Sequence, residues 1–481
     1  MTATASTPLN SRRESIFKGA YLPTTFGLLS AILTCAFEQT AVTAVMPQIT
    51  AELGGTSAYS LTFVIPLAFG IVGMVAAGLV TDTRGVRTSM LLGAFIFGLG
   101  LVMAVVIPSM GWFVVARAIQ GLGIGAVMVV VYAVIAQAYP SHLKPKVFAA
   151  FAAAWVVPSL VGPGIAGILT EAFSWHSVFL LALGVLIGAV TLLAKSLANV
   201  DTNTKADQAA LKERIELEQA GAVATSEIRP ARVRSTGKSL TAAALLTAAV
   251  VCLNLVSQLP VGWSLILFVA AIAAVLYCVR PLVPANTLRG QAGLPRLILS
   301  RGLLDMFFAV EIYLPLMLAQ AYHLGPTLTG MGLTAGGLTW FFGSSAQSRM
   351  GSRFSTPAVI RIGIALMATG GLIVLAAAGI ELNWIVAAAG WGLSAAGMGF
   401  VYPRLAAKPM ELCSKEETGF IGSALQVAGT TGMTLMISTA GMIQVIGAQY
   451  FPNYKFTALF ATILLAAIPI ALLWKPGTKE P

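Results

Sequence analysis

Five ionisable residues interrupt the long apolar runs of this 481-residue chain: Glu38, Arg117, Arg301, Asp305 and Glu311. A charge near the middle of a bilayer costs at least about 2.5–3.5 kcal/mol on insertion scales, so it normally faces a partner or a cavity. An acid so placed, exposed alternately to the two sides, can carry a proton across, which is what proton-driven transport requires. Glu38, flanked by Gln39 and Thr40, is the leading candidate for that acid. Glu311 ranks second: no base stands three or four residues away, and Phe307 and Phe308 precede it by four and three. An acid with aromatic walls suits a lipophilic cation, so Gln39, Phe307 and Phe308 are candidate cavity residues. Arg301 and Asp305 are spaced i,i+4 as an intrahelical pair, and Asp305 is a further proton-coupling candidate. Arg117 shares a face with Gly121 and Gly125, a small-residue face suited to close packing. Plainer readings stand beside these: Glu38 permanently paired with a buried base, Arg301–Asp305 serving stability alone, and Glu311 a proton site without substrate contact.

The elements that must position these side chains follow from composition. Apolar residues make up 57% of the chain and charged residues 10%, against roughly 25% charged in an ordinary soluble domain. That excludes a soluble enzyme, a disulfide-rich secreted domain and a disordered chain, because a globule must expose a polar skin. Runs long enough to span lie near 22–46, 58–81, 88–107, 111–138, 147–169 and 175–197, then 240–259 and 262–283, then 297–321, 327–346, 358–379, 383–405, 419–443 and 455–474. The expected fold is an all-α integral membrane protein with about 14 transmembrane helices. Its units are a six-helix bundle over 1–197, a cytoplasmic linker over 198–239, a central helix pair over 240–283 and a second six-helix bundle over 284–481.

The positive-inside rule tests this count independently of hydropathy. With the N-terminus inside, nearly all of the 29 lysines and arginines fall in inner loops or at inner helix ends. Lys455 alone falls on the other side, and Arg117 and Arg301 lie within spans. One helix missed or added in the middle would destroy that asymmetry. Both termini are therefore expected in the cytoplasm of a cell-membrane protein. The net charge of +11 is explained by topology, and no nucleic-acid partner is implied. The linker carries seven bases and six acids; Lys212 and Arg214 each stand four residues before a glutamate, Glu216 and Glu218, as in a solvated helix, while Arg229, Arg232 and Arg234 suit a membrane-surface contact.

Catalytic and metal chemistry find no support in the pattern. The cysteines Cys35, Cys252, Cys278 and Cys413 have no metal or disulfide spacing, and His142, His176 and His323 sit apart at helix ends or loops. No Gly-x-x-x-x-Gly-Lys-Ser/Thr element offers a phosphate cradle for direct ATP coupling. A channel would need a filter-like segment and a sensor a sizeable soluble domain; neither is present. No catalytic residue, metal or cofactor is expected.

An internal repeat is visible across the two halves. GLVTDTRGVR, with Gly78, Asp82, Arg84, Gly85 and Arg87, follows the second span, and GSSAQSRMGSR, with Gly343, Gln347, Arg349, Gly351 and Arg353, follows its counterpart. Such a loop reverses the chain sharply: a glycine permits the turn, the small Gly78 lets helices approach, and Asp82 can cap the next helix or pair with the arginines.

On four matches the chain resembles the major facilitator superfamily, specifically its fourteen-span drug:proton antiporters. They are the loop just described; RAIQGLGIG from Arg117 through Gln120 and Gly121 to Gly125; PSLVGPGIAG from Pro158 through Gly162 and Pro163 to Gly167; and EQTAVTAVMP from Glu38. Glu38 stands where that family usually has aspartate, Pro158 where it usually has glycine, and Trp391 where a second-half counterpart of Arg117 is expected. The resemblance implies proton handling by Arg117 and a proton-coupled exporter of amphipathic or cationic small molecules, driven by the proton gradient and functional as a monomer in the lipid bilayer. Lipid, siderophore or metabolite export on the same scaffold remains the alternative, and alternating access would rock the halves about a midplane cavity with the central pair at the periphery.

Overall fold

Backbone polar groups inside a bilayer must find partners within the protein, and the helix satisfies them within each segment. Every regular element in the computed structural model is a helix, among the described residues, which are 15–19, 21–55, 58–106, 109–140, 143–219, 236–256, 259, 261–350, 353–380, 382–413 and 418–475. The first half holds α1 (Tyr21–Glu52), α2 (Tyr59–Arg84), α3 (Val86–Val106), α4 (Met110–Ala138), α5 (Lys144–Ala172) and α6 (His176–Gln219). The inserted pair is α7 (Thr236–Val256) and α8 (Val261–Val279). The second half holds α9 (Leu294–Asp305), α10 (Phe308–Gln320), α11 (Pro326–Met350), α12 (Thr356–Gly379), α13 (Trp384–Leu412), α14 (Thr418–Tyr450), α15 (Lys455–Leu465) and α16 (Ala467–Leu473).

Twelve helices are long and apolar enough to cross a membrane, among the described residues. The remaining two passages are α7, whose apolar stretch is Leu240–Val256, and α11, whose last turns carry the polar GSSAQSR. The passage expected at 297–321 is not one helix. It breaks between α9 and α10, where Phe307 N–H donates to Leu304 O and Val310 N–H to Phe307 O, each at 3.0 Å, in the tight i→i+3 pattern. The last passage breaks likewise at Ala466. The helix begun by α6 runs on to Gln219, into the expected linker; Arg229, Arg232 and Arg234 lie outside the described residues.

The two halves repeat the same packing. In the first, α4 packs on α2 and α3; in the second, α13 packs on α11 and α12. The register agrees as well. Gly123 and Gly397 each stand thirteen residues after their helix's first residue, and a side chain at either would strike the backbone of Phe97 on α3 or Met367 on α12, both eleven residues into their helices. The aligned glycines of GLGIG and AGMGF thus mark the same close crossing twice.

The inserted pair is not uniformly peripheral. Helix α8 is largely exposed, whereas α7 packs against α2 of the first half and also touches α14 of the second. At the α2–α3 turn, Gly85 supplies the left-handed backbone (φ 90°) and its N–H donates to Thr81 O at 3.0 Å. Gly78 faces open space, so the close approach expected at this glycine is absent, because its free side points away from the neighbouring helices. Arg84 is exposed, Arg87 Nε donates to Ala194 O on α6 at 3.0 Å, and the side chain of Asp82 lies outside the described residues.

Candidate functional site

Helix α1 carries Glu38 on the face turned into the first bundle, where it is 1% exposed. Arg117, projecting from α4 and 2% exposed, donates from Nη1 to Glu38 Oε1 and to Gln120 Oε1, the latter at 2.6 Å. Its Nε donates to the Thr62 carbonyl at 3.1 Å, near the start of α2 where the helix reaches that depth. Gln120 is fixed in turn by donating from Nε2 to Gly100 O on α3 at 3.0 Å. Three helices, α1, α2 and α4, therefore meet at one guanidinium, and Gln120 ties α3 to them. The second carboxylate oxygen, Glu38 Oε2, is buried without a hydrogen-bond partner. The sequence placed Glu38 and Arg117 on separate helices as candidates; the fold joins them. Gln39, the next residue, is half-buried, and its carbonyl accepts from Thr43 Oγ1 at 2.9 Å.

The second half presents the same frame with different chemistry. Glu38 and Glu311 each stand seventeen residues after the first residue of their passage, Tyr21 and Leu294. Arg117 and Trp391 each stand seven residues into their helix, from Met110 and Trp384. Glu311 thus faces a frame whose basic position is filled by an indole. No hydrogen bond or ion pair reaches Glu311 among the described residues, and Trp391 Nε1 is buried without an acceptor. Glu311 lies in the first turn of α10, whose Ala309 and Val310 N–H groups bond back to Met306 O and Phe307 O across the break. Pro315, four residues on, has no N–H to offer the Glu311 carbonyl.

The two aromatics before Glu311 diverge. Phe307 is 1% exposed and turned toward α12 near Gly371, which removes it from the expected wall because it occupies the helix break and packs inward. Phe308 stays half-buried, its ring 5.6 Å from Trp340 on α11, and Trp340 lies 5.1 Å from Tyr402 on α13. Tyr402 is held by Arg301, whose guanidinium lies 3.9 Å from its ring centroid and donates to its hydroxyl. Arg301 Nε also donates to Asp305 Oδ2 at 2.9 Å, forming the expected intrahelical pair, with Asp305 Oδ1 buried and unpartnered. An aromatic row thus runs from the Arg301–Asp305 pair at the end of α9 to the turn that bears Glu311. Trp340 and Tyr402 gave no signal in the sequence, because their spacing from Phe308 exists only across helices.

The segment from Pro158 to Gly167 lies between α1 and α11. Gly162 faces Thr40 and Phe37 of α1; the Pro163 carbonyl meets Gly330, and Gly167 meets Pro326 and Thr327, all of α11. Gly121 lies against the Pro66 backbone on α2. Beyond Gly167, Glu171 crosses between halves and caps α11, its Oε1 accepting from Thr327 N–H at 3.0 Å and its Oε2 from Thr327 Oγ1 at 2.6 Å. Further cross-half contacts gather at this end, away from the Arg84–Arg87 loop: Tyr59 OH donates to Ile312 O at 2.6 Å, and the Tyr59 and Tyr313 rings lie 5.7 Å apart. No group of three or more metal-ligating side chains occurs among the described residues.

This arrangement of two repeated helical bundles agrees with what comparison finds. A family model described as Major Facilitator Superfamily matches residues 28–304, and the chain belongs to that family as a multi-pass membrane protein. It is 25% identical over 491 residues to "Probable multidrug-efflux transporter Rv1634" of Mycobacterium tuberculosis (strain ATCC 25618 / H37Rv), covering 97% of this chain and 98% of that one. It is 31% identical over 166 residues to "Multidrug resistance protein 3" of Bacillus subtilis (strain 168), covering 34% of this chain and 32% of that relative. Among solved structures, a peptide transporter POT in complex with sulfate matches with a TM-score of 0.65 at 15% identity over 95% of both chains. A D-xylose-proton symporter matches with a TM-score of 0.61 at 14% identity, covering 94% of this chain and 97% of that one. These two likenesses show the shared fold alone.

Proposed function

We propose that this chain is a proton-coupled secondary transporter that exports amphipathic or cationic small molecules across the cell membrane by alternating access. The observation that carries the reading is the contrast between two acids in equivalent registers. Glu38 is neutralised by Arg117, whereas Glu311 has no base among the described residues and adjoins the row Phe308–Trp340–Tyr402. A half-buried acid beside ring faces attracts a lipophilic cation through charge and quadrupole together. The relatives named for multidrug efflux support the same class of substrate.

In this mechanism Glu38, Arg117 and Gln120 form the proton-responsive unit. A proton on the unpartnered Glu38 Oε2 leaves the bond from Arg117 to Oε1 in place while cancelling the charge that Arg117 balances. The guanidinium then carries an uncompensated charge in a low-dielectric site, which favours a different arrangement of α1, α2 and α4. Asp305 and Arg301 hold Tyr402, and through it the aromatic row, in place. The loop of Gly78, Asp82, Arg84, Gly85 and Arg87 faces the cytoplasm, as do both termini, so the contacts from Glu171 to Thr327 close the outer end. The chain works as a monomer, since one copy contains both halves, and the proton gradient is its energy source.

Cationic-dye accumulation in efflux-deficient cells tests this directly. Cells with the wild type accumulate less dye only while the proton gradient persists, and Glu38→Gln loses that effect at equal membrane abundance. Wild-type cells that match empty cells for every cationic dye would overturn the substrate class and direct the search to lipids or metabolites.

A further inference from the structure

The inserted helices have no counterpart in the six-plus-six repeat, yet α7 is attached to the moving parts. Two of its polar side chains, Thr247 and Asn254, are seven residues apart, hence on one stripe of the helix. Thr247 Oγ1 donates to the Ala68 carbonyl of α2 at 2.7 Å. Asn254, 0% exposed, donates from Nδ2 to Ser60 Oγ of α2 at 3.1 Å and to Ser438 Oγ of α14 at 3.2 Å. One amide therefore bonds both halves.

The neighbours of those serines bond to adjoining residues of α10, one across the halves and one within the second half. Ser60 follows Tyr59, whose hydroxyl donates to Ile312 O at 2.6 Å, and Ser438 follows Ile437, whose carbonyl accepts from Tyr313 OH at 2.9 Å. Gly441, one turn on from Ser438, lets α14 approach this point: a side chain there would come within 2.6 Å of Ser60 Oγ and 3.1 Å of Tyr313 OH. Asn254 thus sits where α2, α10 and α14 meet.

We propose that Asn254 is a positioning residue for alternating access, a brace that favours the state closed at the outer end, and that α7 is part of the gate. The inference rests on the transport reading for its meaning, but its geometry is independent of substrate. Thr247 keeps α7 with the first half. When the halves part at the outer end, Ser438 leaves with α14, and the bond from Asn254 to it is the one that breaks. Interhelical hydrogen bonds of this kind shift a two-state equilibrium by about threefold each.

The test is a distance measurement that needs no substrate. Spin labels are placed at Phe173→Cys, beyond α5, and Ile380→Cys, beyond α12, positions 78% and 70% exposed on opposite halves. The chain used has its four native cysteines replaced. In nanodiscs, Ser438→Ala should raise the ratio of long to short distances about threefold and Asn254→Leu between about threefold and tenfold, with the double variant no further shifted than Asn254→Leu. Thr247→Val, which loosens α7 from the first half only, should leave the ratio unchanged. Unaltered distances in the well-folded Ser438→Ala protein overturn the proposal, as does an equal shift from Thr247→Val. Failure of the dye assay leaves this readout intact, so the two readings fail separately.

Discussion

At the scale of single residues, the chain spends its few buried charges unevenly. Breaking a buried ion pair from one side leaves an uncompensated charge and typically costs about 3–5 kcal/mol. Glu38→Leu should therefore lower the thermal stability of the purified protein sharply, because Arg117 remains buried with only Gln120 and the Thr62 carbonyl. Adding Arg117→Leu should restore most of that stability without restoring gradient-dependent efflux. A double variant that transports would remove the pair from the mechanism. Glu311→Gln has the opposite profile: stability stays near wild type, since no ion pair is lost among the described residues. Its apparent affinity for monovalent cationic dyes should fall about tenfold or more while neutral amphiphiles are little affected, as expected when a desolvated charge partner is removed. Competition binding with matched charged and neutral ligands checks this.

Among the elements, the passage built from α9 and α10 departs most from a straight span. Its break places Glu311 at a helix start and turns Phe307 inward while Phe308 faces Trp340. The passage is anchored on the other side by α14, where Gly432 lies against the Gly302 backbone and Gly429 beside the Asp305 carboxylate. Gly432→Val forces α9 and α14 apart and should cost about 1–3 kcal/mol, as overpacking usually does. A lowered melting temperature, with dye affinity weakened through the displaced Arg301–Tyr402 contact, is the expected result. Unchanged melting would show that the two helices separate freely at this point.

For the whole molecule, α5 of the first half packs along α11 of the second, and the hydrogen bonds from Glu171 and Tyr59 join the halves at one end of that seam. Glu171 of the first half caps α11 of the second, its carboxylate accepting from both Thr327 N–H and Thr327 Oγ1. Removing it with Glu171→Ala should populate the state parted at that end. A cysteine at Thr334, which packs beside Gly164, then reacts several-fold faster with a membrane-impermeant thiol reagent. The same rate with and without Glu171 would mean that glycine packing between α5 and α11 holds the seam alone.

Composition and charge placement by themselves determined the membrane class and the helical architecture, because lipid leaves the backbone one economical solution and the translocation machinery sorts basic loops, and the two matched loops, GLVTDTRGVR and GSSAQSRMGSR, showed the repeat. The candidate charges were legible too, since each is costly where it stands. Their partners were not. Glu38 and Arg117 lie 79 residues apart, and only the crossing of α1 with α4 brings them together. The break at Met306–Phe307 falls at no proline, so nothing local announced it, and with it went the true direction of Phe307. Asn254 lies in the apolar run 240–259, and only the packing of α7 on α2 and α14 gives it its two serines. Hydropathy is a property of a segment and survives as sequence; pairing is a property of two surfaces, and the tertiary structure alone decides which surfaces meet.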